Sequence, residues 1–295
     1  MFSLPIHYIE PVFRPPSEAR SLILPVTDGC SWNRCTFCEM YTSPQKKFRI
    51  RPIEQIREEL AQTAQLGLPI KRIFLADGDA MTLSFRRLTE IMQAINEYFP
   101  DLDRVSSYCL PRNVANKSVE QLRQLREAGL KMVYVGCESG DDIVLQKICK
   151  SETYATSEAA LLKLAQAGIT RSVMILNGLG GTVFSHNHAR NSARLMNSTQ
   201  PEYLSVLVLN FPCGQTRLKT SFPEFTMPDQ VSLLDETGLF INELQLNNTV
   251  FRSNHASNYL VLKGRLGRDK EKFLTQIQYA REHPEILRDE RMRGL

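Results

Sequence analysis

The sequence predicts an α/β protein built as an incomplete parallel barrel of six β/α units. Short apolar runs alternate with longer amphipathic stretches six times between residues 21 and 209, the pattern of parallel strands joined by crossover helices. No Gly-x-Gly-x-x-Gly turn follows the first strand, which sets a dinucleotide-binding sheet aside in favour of a barrel-like one. Gly67, Gly129 and Gly168 each close an amphipathic stretch in the manner of a helix C-cap.

Taken in order, strands are expected at Ser21–Val26, Arg72–Leu75, Arg104–Cys109, Met132–Gly136, Arg171–Leu176 and Tyr203–Leu209. Helices are expected between and after them at Pro52–Gln65, Ser84–Tyr98, Ser118–Ala128, Asp142–Ile148, Ser157–Ala167 and His186–Met196. Beyond the sixth strand, the Pro-rich stretch 222–228 leads to a helix around Asp229–Leu244. A polar stretch follows at 249–259, then a basic amphipathic helix from about Arg268. The expected organisation is a core over residues 1–220 with a helical C-terminal extension, 221–295, packed on it. In such barrels, functional groups collect where strands end, because loops vary there while the barrel holds them.

The chain has 295 residues, 42% of them hydrophobic and 23% charged, which is ordinary globular composition. Its formal net charge of +4 is small, and Lys and Arg are scattered apart from the run 46–51 and the C-terminal end, so a nucleic-acid partner is not indicated. The C-terminal charges are interleaved with Asp269, Glu271 and Glu290, which reads as a solvated face. The N-terminus lacks a basic region followed by a long apolar stretch, and no segment has the length of a membrane span, so a soluble, cytoplasmic protein is expected.

Seven cysteines, an odd number without a secretory leader, argue for metal or reactive-thiol use of the clustered ones. Cys30, Cys35 and Cys38 have Cys-x4-Cys-x2-Cys spacing just after the first strand. Cys109, Cys137, Cys149 and Cys213 lie in or beside apolar sequence and read as small buried side chains. A zinc site needs four ligands, and no second ligand pair follows. A [2Fe–2S] centre of plant-type ferredoxin shares the spacing but takes a fourth cysteine, and the next one here, Cys109, lies near the end of the expected third strand of a chain much longer than a ferredoxin. A [4Fe–4S] cluster with three thiolates and one open iron also suits the triplet.

The third reading resembles the radical S-adenosylmethionine (SAM) superfamily, in a subgroup related to oxygen-independent coproporphyrinogen oxidase, as a branch with x4 in place of the usual x3 spacing. Phe37 just before Cys38 matches the aromatic residue that borders adenine in the family. The segment 75–80, with Gly78 and Asp79, ends the second strand where the family binds the SAM amino group; Asp77 is an alternative acceptor there. Glu138 matches a strand-end carboxylate that faces SAM and can accept from ribose hydroxyls. The Gly-rich exit at 177–181 resembles the adenine-contacting fifth strand, with Arg171, Asn177 and Gly178 as candidate contacts. Ser139 and Asp141 read instead as caps of the following helix.

The resemblance implies a partial (β/α)6 TIM-like radical SAM barrel that takes a [4Fe–4S] cluster on Cys30, Cys35 and Cys38 and uses SAM. It also implies reductive SAM cleavage, hydrogen abstraction from a small-molecule substrate, and an electron donor such as flavodoxin or ferredoxin. His255 and Tyr259, in the polar stretch 249–259, are candidate catalytic groups as acid, base or hydrogen donor. Two other readings stay open: an iron–sulfur electron carrier or sensor that does not cleave SAM, and a tRNA- or peptide-modifying member of the same superfamily.

Overall fold

The computed structural model describes residues 4–293. Its main strands are β1 (Leu22–Pro25), β2 (Arg72–Ala76), β3 (Arg104–Cys109), β4 (Leu130–Glu138), β5 (Thr170–Asn177), β6 (Tyr203–Val208), β7 (Val250–Arg252) and β8 (Lys263–Arg265), which follow one another in sheet order. The principal helices are α1 (Ile53–Gln65), α2 (Phe85–Tyr98), α3 (Val119–Glu127), α4 (Asp142–Lys147), α5 (Tyr154–Gln166), α6 (Gly181–Thr199), α7 (Gln230–Glu243) and α8 (Lys270–Glu282). The expected α/β class is the observed one.

Two compact units divide the chain. The first comprises residues up to 33, 38–135 and 163–171; the second comprises 34–37, 136–162 and everything from 172 onward, so both sides of residue 220 lie in the second.

In the first unit β1, β2, β3 and the start of β4 pair in parallel, with Ile23 opposite Phe74 and Phe74 opposite Ser106. Buried Leu24, Ile73, Phe74, Leu75 and Val105 make these strands largely apolar, as strands covered on both faces are, with buried Ser106 and Ser107 interrupting β3. Helix α1 buries Ile56, Leu60 and Thr63 at helical spacing, and Ser84 caps α2 by accepting from Arg87 N. Ser118 and Gln121 close a reciprocal capping box on α3. The N-terminal segment is tied in by Glu18, whose carboxylate accepts from Arg104 Nη2 at 2.8 Å and from the Tyr134 hydroxyl at 2.5 Å.

In the second unit β5 and β6 pair in parallel, with Met174 opposite Ser205. Asp141 caps α4 by accepting from Ile143 N and Val144 N, as expected. Helix α6 starts at Gly181, five residues before the expected start. Glycines count against a helix by propensity, but an added Cβ at Gly181 would lie 3.1 Å from the Phe225 ring, and Thr182 N donates to Thr226 O at 3.0 Å. Packing decides the start.

The stretch 249–259, read from sequence as polar loop, contains β7. It extends β6 in parallel, and β8 then pairs with it antiparallel. A three-residue strand is too short to carry a periodic signal. Past β7, Asn258 takes over its role: its Nδ2 donates to Val206 O at 2.9 Å and its Oδ1 accepts from Val208 N at 3.1 Å. The extension is therefore part of the sheet as well as helical. Asn258→Ala should leave two buried backbone groups of β6 unpaired and lower stability by about 2–3 kcal/mol, read as a lower urea midpoint at unchanged slope.

Candidate functional site

The cysteine loop grows out of β1 and is held in the first unit by backbone packed against backbone. Gly78, just past β2 with φ of 82°, leaves no room for a side chain, since a Cβ there would lie 2.2 Å from Gly29 O. Gly29, with φ of 75°, is equally constrained from its other side, where a Cβ would lie 2.4 Å from Lys46 O. Only glycine permits both the left-handed backbone and the approach. Thr27 Oγ1 donates to Asp77 O at 2.6 Å, Asp77 N donates to Thr27 O at 3.2 Å, and Ser31 Oγ donates to Asp79 Oδ2, so the start of the loop and the β2 exit form one interlocked layer. Gly78, a candidate contact from sequence, gives the cysteine loop the room for this approach.

The residue added between Cys30 and Cys35 is absorbed by Asn33, which takes a left-handed φ of 43°. Its N reaches Cys30 Sγ at 3.5 Å and its Nδ2 donates to Tyr41 O at 2.8 Å, closing the loop on itself. Beside it, Arg112 lies over the Trp32 ring, 4.7 Å from the centroid.

Buried charge in this unit includes two groups that the basic run 46–51 had hidden. Lys46 forms a fully buried ion pair with Asp77, and Arg51 is buried against Asp28, Nε to Oδ1 at 3.0 Å. A lysine in a basic sequence run reads as solvated, so only its tertiary partner betrays it. Burial pushes the Asp77 carboxyl up despite Lys46, and burial likewise pushes Asp79 up against the Ser31 hydrogen bonds. Asp77 Oδ1 and Asp79 Oδ1 are buried and take no hydrogen bond among the described residues. Asp77 is paired with the Lys46 ammonium, whereas Asp79 accepts from the Ser31 hydroxyl, with Arg112 and Asn113 also favouring its charged form.

In the second unit, Thr36 N donates to Ile148 O at 2.9 Å and Ser221 Oγ donates to Thr36 Oγ1 at 3.0 Å, which fixes the backbone beside Cys35. Phe37 packs against an apolar cluster that includes Ile148, Leu179, Leu209 and Phe222, with Leu176 beside it. Glu138 is the last residue of β4, with a left-handed φ of 64° that costs a non-glycine residue about 1–2 kcal/mol. Its Oε1 accepts from buried Lys150 Nζ at 3.3 Å, and its Oε2 is buried with no hydrogen bond among the described residues. Burial works against the Lys150 ammonium, but Glu138 and the thiols Cys35 and Cys137 outweigh it and raise its pKa. No sequence signal marks Lys150, because it stands just past α4 with no recognisable motif.

Asn177 and Gly178 leave β5 and are held by α7. Asn177 Nδ2 donates to Leu233 O at 3.0 Å and Thr237 Oγ1 at 2.8 Å, and Gly178 N donates to Glu236 Oε1 at 2.6 Å. Arg171 is buried near the opposite end of the same strand, about 20 Å along it at the usual strand rise. That separation leaves Arg171 out of the ligand set proposed below. His255 and Tyr259 belong to a local structure of their own. His255 Nδ1 accepts from Ser257 N at 3.1 Å, and burial with Arg288 nearby lowers its pKa. Tyr259 donates to Glu290 Oε2 at 2.9 Å and lies under Arg293, 4.1 Å from its centroid.

These groups fit a cluster and SAM. Among the described residues no three His, Cys, Asp or Glu groups converge as ligands of a single metal ion, whereas a [4Fe–4S] cluster takes one thiolate per iron. In each unit a buried carboxylate, Asp79 in the first and Glu138 in the second, keeps one oxygen without a hydrogen bond among the described residues, an acceptor suited to an ammonium or a hydroxyl donor.

Comparison with known proteins agrees. The sequence pattern of the Radical SAM superfamily matches residues 24–195, more than half of the chain. The heme chaperone HemW of Bacillus subtilis is 25% identical over 183 residues, 59% of this chain and 47% of HemW, so the chain spans about half of that relative. Coproporphyrinogen III oxidase (HemN) of Escherichia coli, a radical SAM enzyme, superposes with a TM-score of 0.59 at 17% identity, covering 76% of this chain and 52% of that one. Methylornithine synthase superposes with a TM-score of 0.52 at 16% identity, covering 87% of this chain and 68% of the other.

Gly78→Ala should force the β2 exit off the cysteine loop. We expect a loss of at least about 2 kcal/mol of stability and markedly less iron retained after anaerobic reconstitution, measured by unfolding and by iron analysis.

Proposed function

We infer the reaction from one premise, that this chain belongs to the Radical SAM superfamily. It is an enzyme of that superfamily, and membership implies a [4Fe–4S] cluster, SAM and an electron donor. We propose that it cleaves SAM reductively and abstracts hydrogen from a small-molecule substrate. When bound and reduced, the cluster and SAM together supply methionine and a 5′-deoxyadenosyl radical.

The observation that carries this reading is that two of the buried carboxylates with an unpaired oxygen stand at strand ends, Asp79 past β2 and Glu138 at the end of β4. In the proposal Cys30, Cys35 and Cys38 each hold one iron. Asp79 accepts from the amino group of SAM, where Asp77, neutralised by Lys46, does not compete. Glu138 accepts from the ribose through Oε2 while Lys150 holds its other oxygen, and the Lys150 ammonium also suits the SAM carboxylate. Phe37, with Leu176 and Leu179, offers an apolar wall for adenine. Gly178 is a positioning residue here, fixed by Glu236, with Asn177 tied to α7 beside it.

A small substrate is favoured over RNA by what the basic C-terminal residues do. Lys270 Nζ donates to Asn242 O and Leu244 O, Arg281 pairs with Asp235 at 2.8 Å, Arg268 pairs with Asp269, and Arg293 is buried against Tyr259 and Glu290. Charges spent on internal partners do not make a phosphate-binding face. His255 and Tyr259 enter the proposal as substrate-side groups, His255 as a neutral imidazole because its Nδ1 accepts a backbone N–H.

The test is anaerobic reconstitution followed by dithionite and SAM. 5′-Deoxyadenosine should form, and Cys35→Ala should abolish both cluster and product. An intact [4Fe–4S] spectrum that reduces reversibly without product would identify an electron carrier or sensor instead.

A further inference from the structure

One buried group in the first unit is unused by this reading. Tyr41, three residues beyond Cys38, is only 6% exposed, and its hydroxyl has no hydrogen-bond partner among the described residues. Leaving such a hydroxyl unmatched in the interior costs about 1–3 kcal/mol, so an orphan of this kind calls for a partner that arrives with a ligand or ion. The side chain is also held in place. Its ring meets Phe13 edge-on, with centroids 5.6 Å apart and planes at 77°. Its carbonyl accepts from Asn33 Nδ2 at 2.8 Å, and Asn33 N in turn reaches Cys30 Sγ at 3.5 Å. Tyr41 is thus fixed to the loop that carries Cys30, and it follows Cys38 by less than one helical turn of chain.

The hydroxyl is kept protonated. Burial, then Asp77, Tyr108, Cys38 and Cys30, push its pKa far above that of a free tyrosine. At any working pH it is a hydrogen-bond donor. Asp77, the charged acceptor among those groups, is paired with Lys46, and Tyr41 makes no bond to it. Neither Asp77 Oδ1 nor the Tyr108 hydroxyl is bonded to Tyr41, and of the groups acting on it the sulfurs of Cys30 and Cys38 are the ones that cluster binding turns into thiolate acceptors. Hydrogen bonds to the sulfurs of an iron–sulfur cluster stabilise its reduced, more negative state and raise its reduction potential.

We propose that the Tyr41 hydroxyl donates a hydrogen bond to a sulfur of the cluster held by the cysteine loop, and so sets the potential at which this enzyme accepts its electron. Tyr41 is a tuning residue under this proposal, which rests on the cluster assignment above.

Tyr41→Phe keeps the ring and its contact with Phe13 and removes only the donor. The reconstituted variant, titrated potentiometrically with EPR detection and without SAM, should hold a full cluster whose midpoint is more negative than that of the wild type, while its affinity for SAM is unchanged. Pulsed EPR of the reduced wild type in D2O should detect an exchangeable deuteron coupled to the cluster that the variant lacks, a readout independent of how well the variant folds. A full cluster at unmoved midpoint with the same deuteron signal would overturn the proposal. An unmoved midpoint with weakened SAM binding would overturn it too and assign the hydroxyl to SAM. If the wild type assembles no [4Fe–4S] cluster, the preceding reading falls and this one with it, whereas a full cluster with an unmoved midpoint refutes only the role of Tyr41.

Discussion

The contact of Gly78 with Gly29, and of Gly29 with the Lys46 backbone, is what the rest of the site depends on. Three stretches of chain approach so closely that no Cβ fits at either glycine. That approach brings a segment 17 residues past Gly29 under the cysteine loop and sets the β2 exit directly against it. The buried Lys46–Asp77 ion pair ties two of these three segments, those of Lys46 and Gly78, together. Breaking a buried pair by removing one partner costs about 3–5 kcal/mol, because the other charge is stranded. The layer is therefore rigid for two separate reasons, one steric and one electrostatic, and it holds Cys30, Ser31 and Asp79 in fixed relation.

Rigidity of this kind has a chemical use. A carboxylate left with an unpaired buried oxygen is costly, and a protein sustains it only where surrounding structure over-determines its position. Asp79 in the first unit and Glu138 in the second are both in that condition. Each has one oxygen engaged, by Ser31 and Lys150 respectively, which aims the other. Preorganised acceptors bind a ligand's donors without the entropy of first finding a geometry. Asp77 lies two residues from Asp79 yet differs from it, since Lys46 already supplies its cation. Two acids on one turn are separated in environment by one lysine.

Much of this was legible in the sequence. Six strands and six helices were placed within a few residues, because fully buried strands and amphipathic helices leave strong patterns, as β3 and α2 illustrate. The cysteine spacing and the strand-end acids pointed to the family that the comparisons establish. What stayed hidden was whatever depended on a tertiary partner. Lys46 and Arg51 sat in a run that looked like solvated charge, and Lys150 sat beyond a helix end without a motif. The close approach of Gly78 to Gly29 is likewise a long-range contact with no local signal. Arg171 looked close to the Gly-rich exit along the chain, but a strand extends its residues by about 3.3 Å each and carried it to the far end. β7 went unseen because three residues have no period, and its pairing with β6 is a long-range fact.

The most direct measurement of the central claim is equilibrium binding of SAM to cluster-loaded protein in which Asp79 is replaced by Asn, an isosteric change that keeps the Ser31 contact feasible and removes the charge. Loss of a charge-assisted hydrogen bond should weaken SAM binding by about tenfold or more with iron content unchanged. An affinity equal to that of the wild type would contradict the assignment of Asp79 as the acceptor for the SAM ammonium.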